Sequence, residues 1–195
     1  MGGDLLSDVL ELEWAMFSQV RGTQPASCQS APDNFKSIRG SLFAMWTDKM
    51  LASYRGDLVA AREAGRNLLT EKYARMDGQI PPSFANPMIE VIVDIEADWQ
   101  RDLRERHPAL YHRCCRQTDL AEDGSDFSVY LRSELETYGY DTVELYYENV
   151  KAALDGGRNL AVEALRRLVI AGGYADIEQA EKHLSAQYGL GEHAQ

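Results

Sequence analysis

A seven-residue string occurs twice in this chain, and the repetition limits the fold more than any other feature of the sequence. Gly65-Arg66-Asn67-Leu68-Leu69-Thr70-Glu71 returns as Gly157-Arg158-Asn159-Leu160-Ala161-Val162-Glu163, at an offset of 92 residues (65 to 157). At that offset, without a gap, residues 35–75 match residues 127–167 at 11 of 41 positions. Ordinary residue frequencies would give about two or three such matches. Trp46 facing Tyr138 and Glu63 facing Asp155 are conservative pairs on top of the identities. The expectation is an internal duplication of a helical unit: an all-α single domain over residues 1–195, made of two pseudo-symmetric helical halves.

The rest of the chain reads as helical too. Leu5, Leu6, Val9, Leu10, Leu12, Met16 and Phe17 recur at helical spacing after a capping Asp4, which predicts a first helix to about Val20. Residues 21–34 form a loop rich in Gly, Gln, Pro and Ser that carries Cys28. Asp33 or Asn34 then caps the first copy of the repeat. It runs without proline from Phe35 to Met76, and Gly56 is expected to divide it into two helices of about 20 residues. Asn86-Pro87 starts another helix, which stops before Pro108. Asp126 caps the second copy, with breaks near Gly139 and Gly156, and Asp176 caps a last helix over 177–188. No stretch longer than four residues alternates like a strand, so little sheet is expected.

Two local readings of the repeated string stand side by side. Inside one continuous helix, Glu63, Asn67 and Glu71 would share a face, as would Asp155, Asn159 and Glu163. Alternatively Gly65 and Gly157 end one helix while Asn67 and Asn159 cap the next. Arg66 and Arg158 can hold an anionic group or bridge to the carboxylates. Glu71 and Glu163 are candidates for acid/base work. The copies differ just after that Glu: Lys72-Tyr73 in the first, Ala164-Leu165 in the second. An ammonium and a phenol at one end only would make a single asymmetric site. A satisfied polar network at a helix crossing would use the same residues.

The net charge of −11 argues against nucleic acid and anionic membrane as main partners, since both call for a basic face. No apolar run reaches membrane-span length, and the start lacks the basic-then-apolar pattern of a signal peptide. Three cysteines, Cys28 and the adjacent Cys114 and Cys115, do not make a disulfide framework and suggest a reducing, cytoplasmic setting. Phosphate-binding loops, dinucleotide fingerprints, nucleophile elbows and His-Glu-x-x-His are missing, and no histidine follows a Glu by three. No cofactor and no metal site are therefore expected.

Ser27-Cys28-Gln29, then Phe35, Arg39, Trp46, Ser53-Tyr54, Asp57-Leu58 and the run from Gly65 to Met76, together resemble a bacterial family of unknown function, DUF4125. Tyr130-Leu131-Arg132, Glu134-Leu135, Thr137-Tyr138 and Gly157-Arg158-Asn159 fit the same pattern; Asp77, where a second Met is common, departs from it. The resemblance covers roughly Leu10 to Ala180. It implies a small bacterial cytosolic protein, supplies no reaction, and adds weight to Cys28, Arg39, Glu71, Lys72 and Tyr73 as one cluster. The resulting expectation is a cofactor-independent lyase, isomerase or hydrolase acting on a small anionic molecule between the halves. Glu71, Lys72, Tyr73, Cys28 and Glu163 would be catalytic, and Arg39, Arg66, Asn67, Arg158, Asn159 and Tyr138 would bind substrate. The rival expectation is a ligand-binding or interaction module in which the motif is architecture. A homodimer fits either.

Overall fold

The computed structural model describes residues 4–21, 31–116 and 126–188. They form ten α-helices and, among the described residues, no strand. In chain order these are α1 (Leu5–Phe17), α2 (Pro32–Phe43), α3 (Asp48–Glu63), α4 (Leu68–Met76), α5 (Pro87–Arg106), α6 (Pro108–Cys114), α7 (Phe127–Leu135), α8 (Tyr140–Asp155), α9 (Leu160–Ala171) and α10 (Ile177–Tyr188). None is long and apolar enough to cross a membrane.

Local chemistry sets most of the boundaries. Asp4, Thr47, Asn67, Asn86, Asp126 and Asn159 each accept a backbone N–H of the following first turn through the side chain. Two expectations are corrected. The span from Phe35 to Met76 holds parts of three helices rather than two. Gly56 lies inside an unbroken α3, because the turn falls earlier, where Thr47 caps the next helix. And α2 starts from Ala31 with Pro32 in its first turn, so Asp33 and Asn34 are already helical.

The repeated string is a helix break in both places. Gly65 (φ 70°) and Gly157 (φ 66°) adopt the left-handed conformation that a Cβ would strain. The next N–H reaches back in each case: Arg66 N to Ala61 O and Arg158 N to Ala153 O, both at 2.8 Å. Asn67 and Asn159 then start α4 and α9.

The helices pack in a crossed pattern. α1 lies on α2, α3 and α4, while α5 lies on α7, α8 and α9. Between these groups α2 meets α9, α4 meets α7, and α3 meets α8. One apolar cluster runs through Val9, Phe17, Phe43, Tyr54 and Leu58, another through Met50, Ile92, Val93, Leu135 and Val150. Trp46 and Tyr138 touch both. A third cluster seats α10 on α6 and α9, where Glu181 accepts the N–H groups of Ala109 and Leu110 at the start of α6.

Candidate functional site

The site grows from charges placed on apolar helix faces. On α1, Glu13 lies between Val9 and Phe17 at spacings of four, so the stripe that enters the core carries a carboxylate with it. Glu13 has no exposed surface, and Arg39, Lys72 and Glu134 are 7%, 2% and 6% exposed. Four helices deliver these groups to one place. Arg39 of α2 donates Nε and Nη2 to Glu13 at 2.8 and 2.5 Å, and Nη2 also to Glu134 Oε1 of α7 at 2.6 Å. Lys72 of α4 donates to Glu134 Oε2 at 2.5 Å and lies 3.6 Å from the centre of the Tyr130 ring. Tyr54 donates to Glu13 at 2.7 Å and Tyr138 to Glu134 at 2.6 Å.

Two carboxylates thus face two cations with the tyrosine hydroxyls filling the remaining positions. Burial works against charge at Arg39, Lys72 and Glu134, but mutual attraction wins there. It holds the Glu134 carboxyl below the usual carboxylate range despite desolvation, and keeps the Lys72 ammonium raised for the same reason. The cluster is charged, balanced and closed. Removing Glu134 would leave the Lys72 ammonium without its carboxylate in a dry interior, while Arg39 kept its bonds to Glu13.

Beside it opens a cavity of about 100 Å³, walled by α2, α5, α7, α8 and α9. Arg39, Glu134 and Tyr138 form the side shared with the ion cluster, and Trp46 and Phe127 contribute aromatic wall. The lining also includes Glu96 and Gln100, one turn apart on α5, and Tyr146 of α8. Tyr146 donates to Glu96 at 2.5 Å. No ion pair to Glu96 occurs among the described residues, and its carboxyl is pushed up to about 7. Burial is the main cause, the Tyr146 hydrogen bond opposes it, and the nearby Glu134 charge adds to it. The buried Gln100 Oε1 has no hydrogen-bond partner among the described residues. Glu96 and Gln100 therefore offer acceptors beside an aromatic lining.

The structure separates the site residues expected from sequence into two sets. Arg39, Lys72 and Tyr138 meet in the buried cluster, with Tyr73 flanking it 5.9 Å from the Lys72 ammonium. Glu71 and Glu163 do not join them. Each is clasped through two bonds by the Arg of its own motif, Arg66 to Glu71 at 2.8 and 2.6 Å and Arg158 to Glu163 at 2.9 and 2.6 Å. Both arginines are more than half exposed. Asn67 and Asn159 cap their helices and spend the amide N–H on Met16 O and Trp99 O, tying the breaks to α1 and α5. Cys28 lies outside the described residues.

Comparison with known families supplies one relationship. The model of a protein family of unknown function, DUF4125, matches residues 3–182. The chain belongs to this family. The matched span contains the four-charge cluster and every residue lining the cavity, so both lie within the DUF4125 region. No curated protein and no solved structure matches the chain.

Glu13, Glu96 and Gln100 are site residues that the sequence reading passed over. A signal was present: Glu13 interrupts Val9 and Phe17, and Glu96 follows Ile92 at a spacing of four with Gln100 four further on. A carboxylate inside an apolar stripe is worth following into the core. Elsewhere, Cys114, which is exposed, and Cys115, which is half-buried, are free thiols that desolvation raises, Cys115 to about 12. No group of three or more metal-ligating side chains converges among the described residues.

Proposed function

We propose that this DUF4125 protein binds a small molecule in the cavity between α2, α5, α7, α8 and α9, and that the repeated Gly-Arg-Asn motif is architecture. One observation carries the reading: Glu96 and Gln100 present two acceptor groups from successive turns of α5 into one cavity, and Gln100 Oε1 has no partner among the described residues. Buried polar groups without partners are costly, and a ligand that supplies donors relieves that cost. We also read the fold as two copies of one unit. In this view α3 and α8, of 16 residues each, start and end 92 residues apart, the two helix breaks repeat bond for bond, and the crossed packing of α2 on α9 and α4 on α7 relates the halves by a pseudo-twofold axis. The expected anionic substrate has less support: Arg39 is saturated by Glu13 and Glu134, and Arg66 and Arg158 are closed on their own carboxylates.

Native mass spectrometry tests the reading. The wild-type protein is compared with Ala161→Leu, which adds volume at the cavity wall. A small molecule retained by the wild type and lost from the folded variant supports it. Ligand-free masses for both, with no compound of a fragment library perturbing Trp46 fluorescence, would remove its basis.

A second reading, acid/base catalysis in the same cavity, draws on Glu96 alone. A carboxyl near 7 exchanges protons at neutral pH, and the Tyr146 hydroxyl is in contact with it. Its test is solvent-deuterium incorporation into a metabolite mixture, expected with the wild type and abolished in Glu96→Gln. Equal incorporation by both proteins would sink it.

A further inference from the structure

The two halves differ at the cavity in a way that names its ligand. Glu13 accepts from Tyr54 and from Arg39. On the other side Glu96 accepts from Tyr146, which stands 92 residues after Tyr54. The α1–α5 correspondence is fixed independently: Asn67 bonds Met16 O and Asn159 bonds Trp99 O, and Glu13 and Glu96 each lie three residues before those carbonyls. Glu13 with Tyr54, and Glu96 with Tyr146, are therefore the same pair seen twice. What the second half lacks is the cation. The position 92 residues after Arg39 is Leu131, and the position 92 after Lys72 is Ala164. Both Leu131 and Ala164 line the cavity. The space that a guanidinium and an ammonium fill on one side is lined by a leucine and an alanine methyl on the other. The carboxyl that the arginine would neutralise, Glu96, has among the described residues a single phenol as its partner.

From this we infer that the cavity takes a small organic cation bearing N–H donors, an alkylammonium or guanidinium group. The cation seats on Glu96 where the side chain of Arg39 seats on Glu13. This rests on the reading of the cavity as a ligand site and deepens it. Gln100 Oε1 is the second acceptor for a ligand N–H. Trp46, Tyr138 and Tyr146 line the cavity, and aromatic rings attract weakly hydrated cations. The buried charges facing Glu96 from the neighbouring helices are Arg39 on α2 and Glu134 on α7, with Tyr146 on α8. Arg39 and Lys72 are already matched by Glu13 and Glu134, so an ionised Glu96 adds one uncompensated negative charge and a monocation balances it. An anion would face Glu96 and Glu134 with no free cation among the described lining residues. The volume is about three water molecules at liquid density, which suits the head of a ligand of a few heavy atoms.

The experiment uses three probes of one shape on the whole chain: n-propylammonium, n-propanol and propionate. Trp46 fluorescence and amide chemical shifts follow each titration. The expected result is saturable propylammonium binding at pH 8, with the alcohol at least tenfold weaker and propionate undetectable. Glu96→Gln should weaken propylammonium tenfold or more, as loss of a charged hydrogen-bond partner does. Leu131→Arg should abolish binding by supplying the missing cation in cis, with the helical circular dichroism kept. Should Glu96→Gln fail to fold, Gln100→Leu, expected to cost about threefold, carries the same comparison. Propanol or propionate binding better than propylammonium, lost in Ala161→Leu, would overturn the cation while leaving the cavity a ligand site. No saturable binding of any probe would overturn both. Undiminished propylammonium binding in Leu131→Arg would place the amine elsewhere and end the proposal.

Discussion

Replacing Glu96 by Gln should make the protein more stable at alkaline pH and leave it unchanged in acid. The carboxyl is raised from 4.5 to about 7, with burial the main cause. A raised folded-state pKa means that the native protein holds the proton more tightly than the unfolded chain does. The associated stability is fully present below pH 4.5 and is lost as pH rises through about 7. The displacement corresponds to about 3 kcal/mol by pH 8.5. The amide is a neutral mimic of the protonated acid, and its oxygen can still accept from the Tyr146 hydroxyl. The variant should thus escape the alkaline loss. With a urea dependence of about 2 kcal/mol per M, its midpoint at pH 8.5 should lie about 1.5 M above that of the wild type, and the two should coincide at pH 4. Urea denaturation followed by circular dichroism at both pH values decides it. A variant no more stable than wild type at pH 8.5, or equally stabilised at both, would show that Glu96 is not a desolvated carboxyl. A residue that costs stability at the pH where it ionises is what a binding site retains and a purely structural core does not.

Three further outcomes follow from the same geometry. Glu134→Gln leaves the buried Lys72 ammonium without its carboxylate and Arg39 with Glu13 alone, and should cost about 3 to 5 kcal/mol in the same denaturation assay. Because the Glu134 carboxyl is held low by Arg39 and Lys72 against its burial, its contribution is present above its ordinary pKa and fades as pH falls through the lower folded value. The wild-type and variant curves should therefore converge in acid. Gly65→Ala and Gly157→Ala meet no neighbouring atom but force a Cβ into left-handed backbone, so each should cost about 1 kcal/mol, and by similar amounts; a cost at one site only would contradict the matched turns. Arg66→Ala and Arg158→Ala remove exposed ion pairs and should each shift stability by less than about 1 kcal/mol and leave propylammonium binding unchanged, whereas a binding defect would return the motif to the site.

Much of the helical layout was legible because its determinants are local. Asn86-Pro87, Asp126 and Asn67 announce helix starts through bonds to N–H groups two or three residues away, and Gly65 and Gly157 announce stops through the one backbone region that other residues avoid. The same locality explains why the motif drew attention as a site: a repeated Arg, Asn and Glu look like converging chemistry, yet the Arg reaches only five residues to its Glu. Gly56 misled for the opposite reason, since a glycine on an exposed helix face costs too little to break a helix that Thr47 has already started.

The sequence by itself marked most helix starts and stops, the turn before Thr47 excepted, and showed that one string is written twice at an offset of 92. Only the tertiary structure decided which polar side chains are withdrawn from water together. Arg39 and Glu134 are 95 residues apart, and Lys72 and Glu134 are 62 apart. Glu96 and Tyr146 are separated by 50. A carboxylate on an apolar stripe is marked in its own helix, but its partner is set by which face of which distant helix packs against it. So Glu13 finds an arginine and Glu96 a cavity, because helix crossing places Arg39 against the first and leaves the second at a cavity that Leu131 also lines.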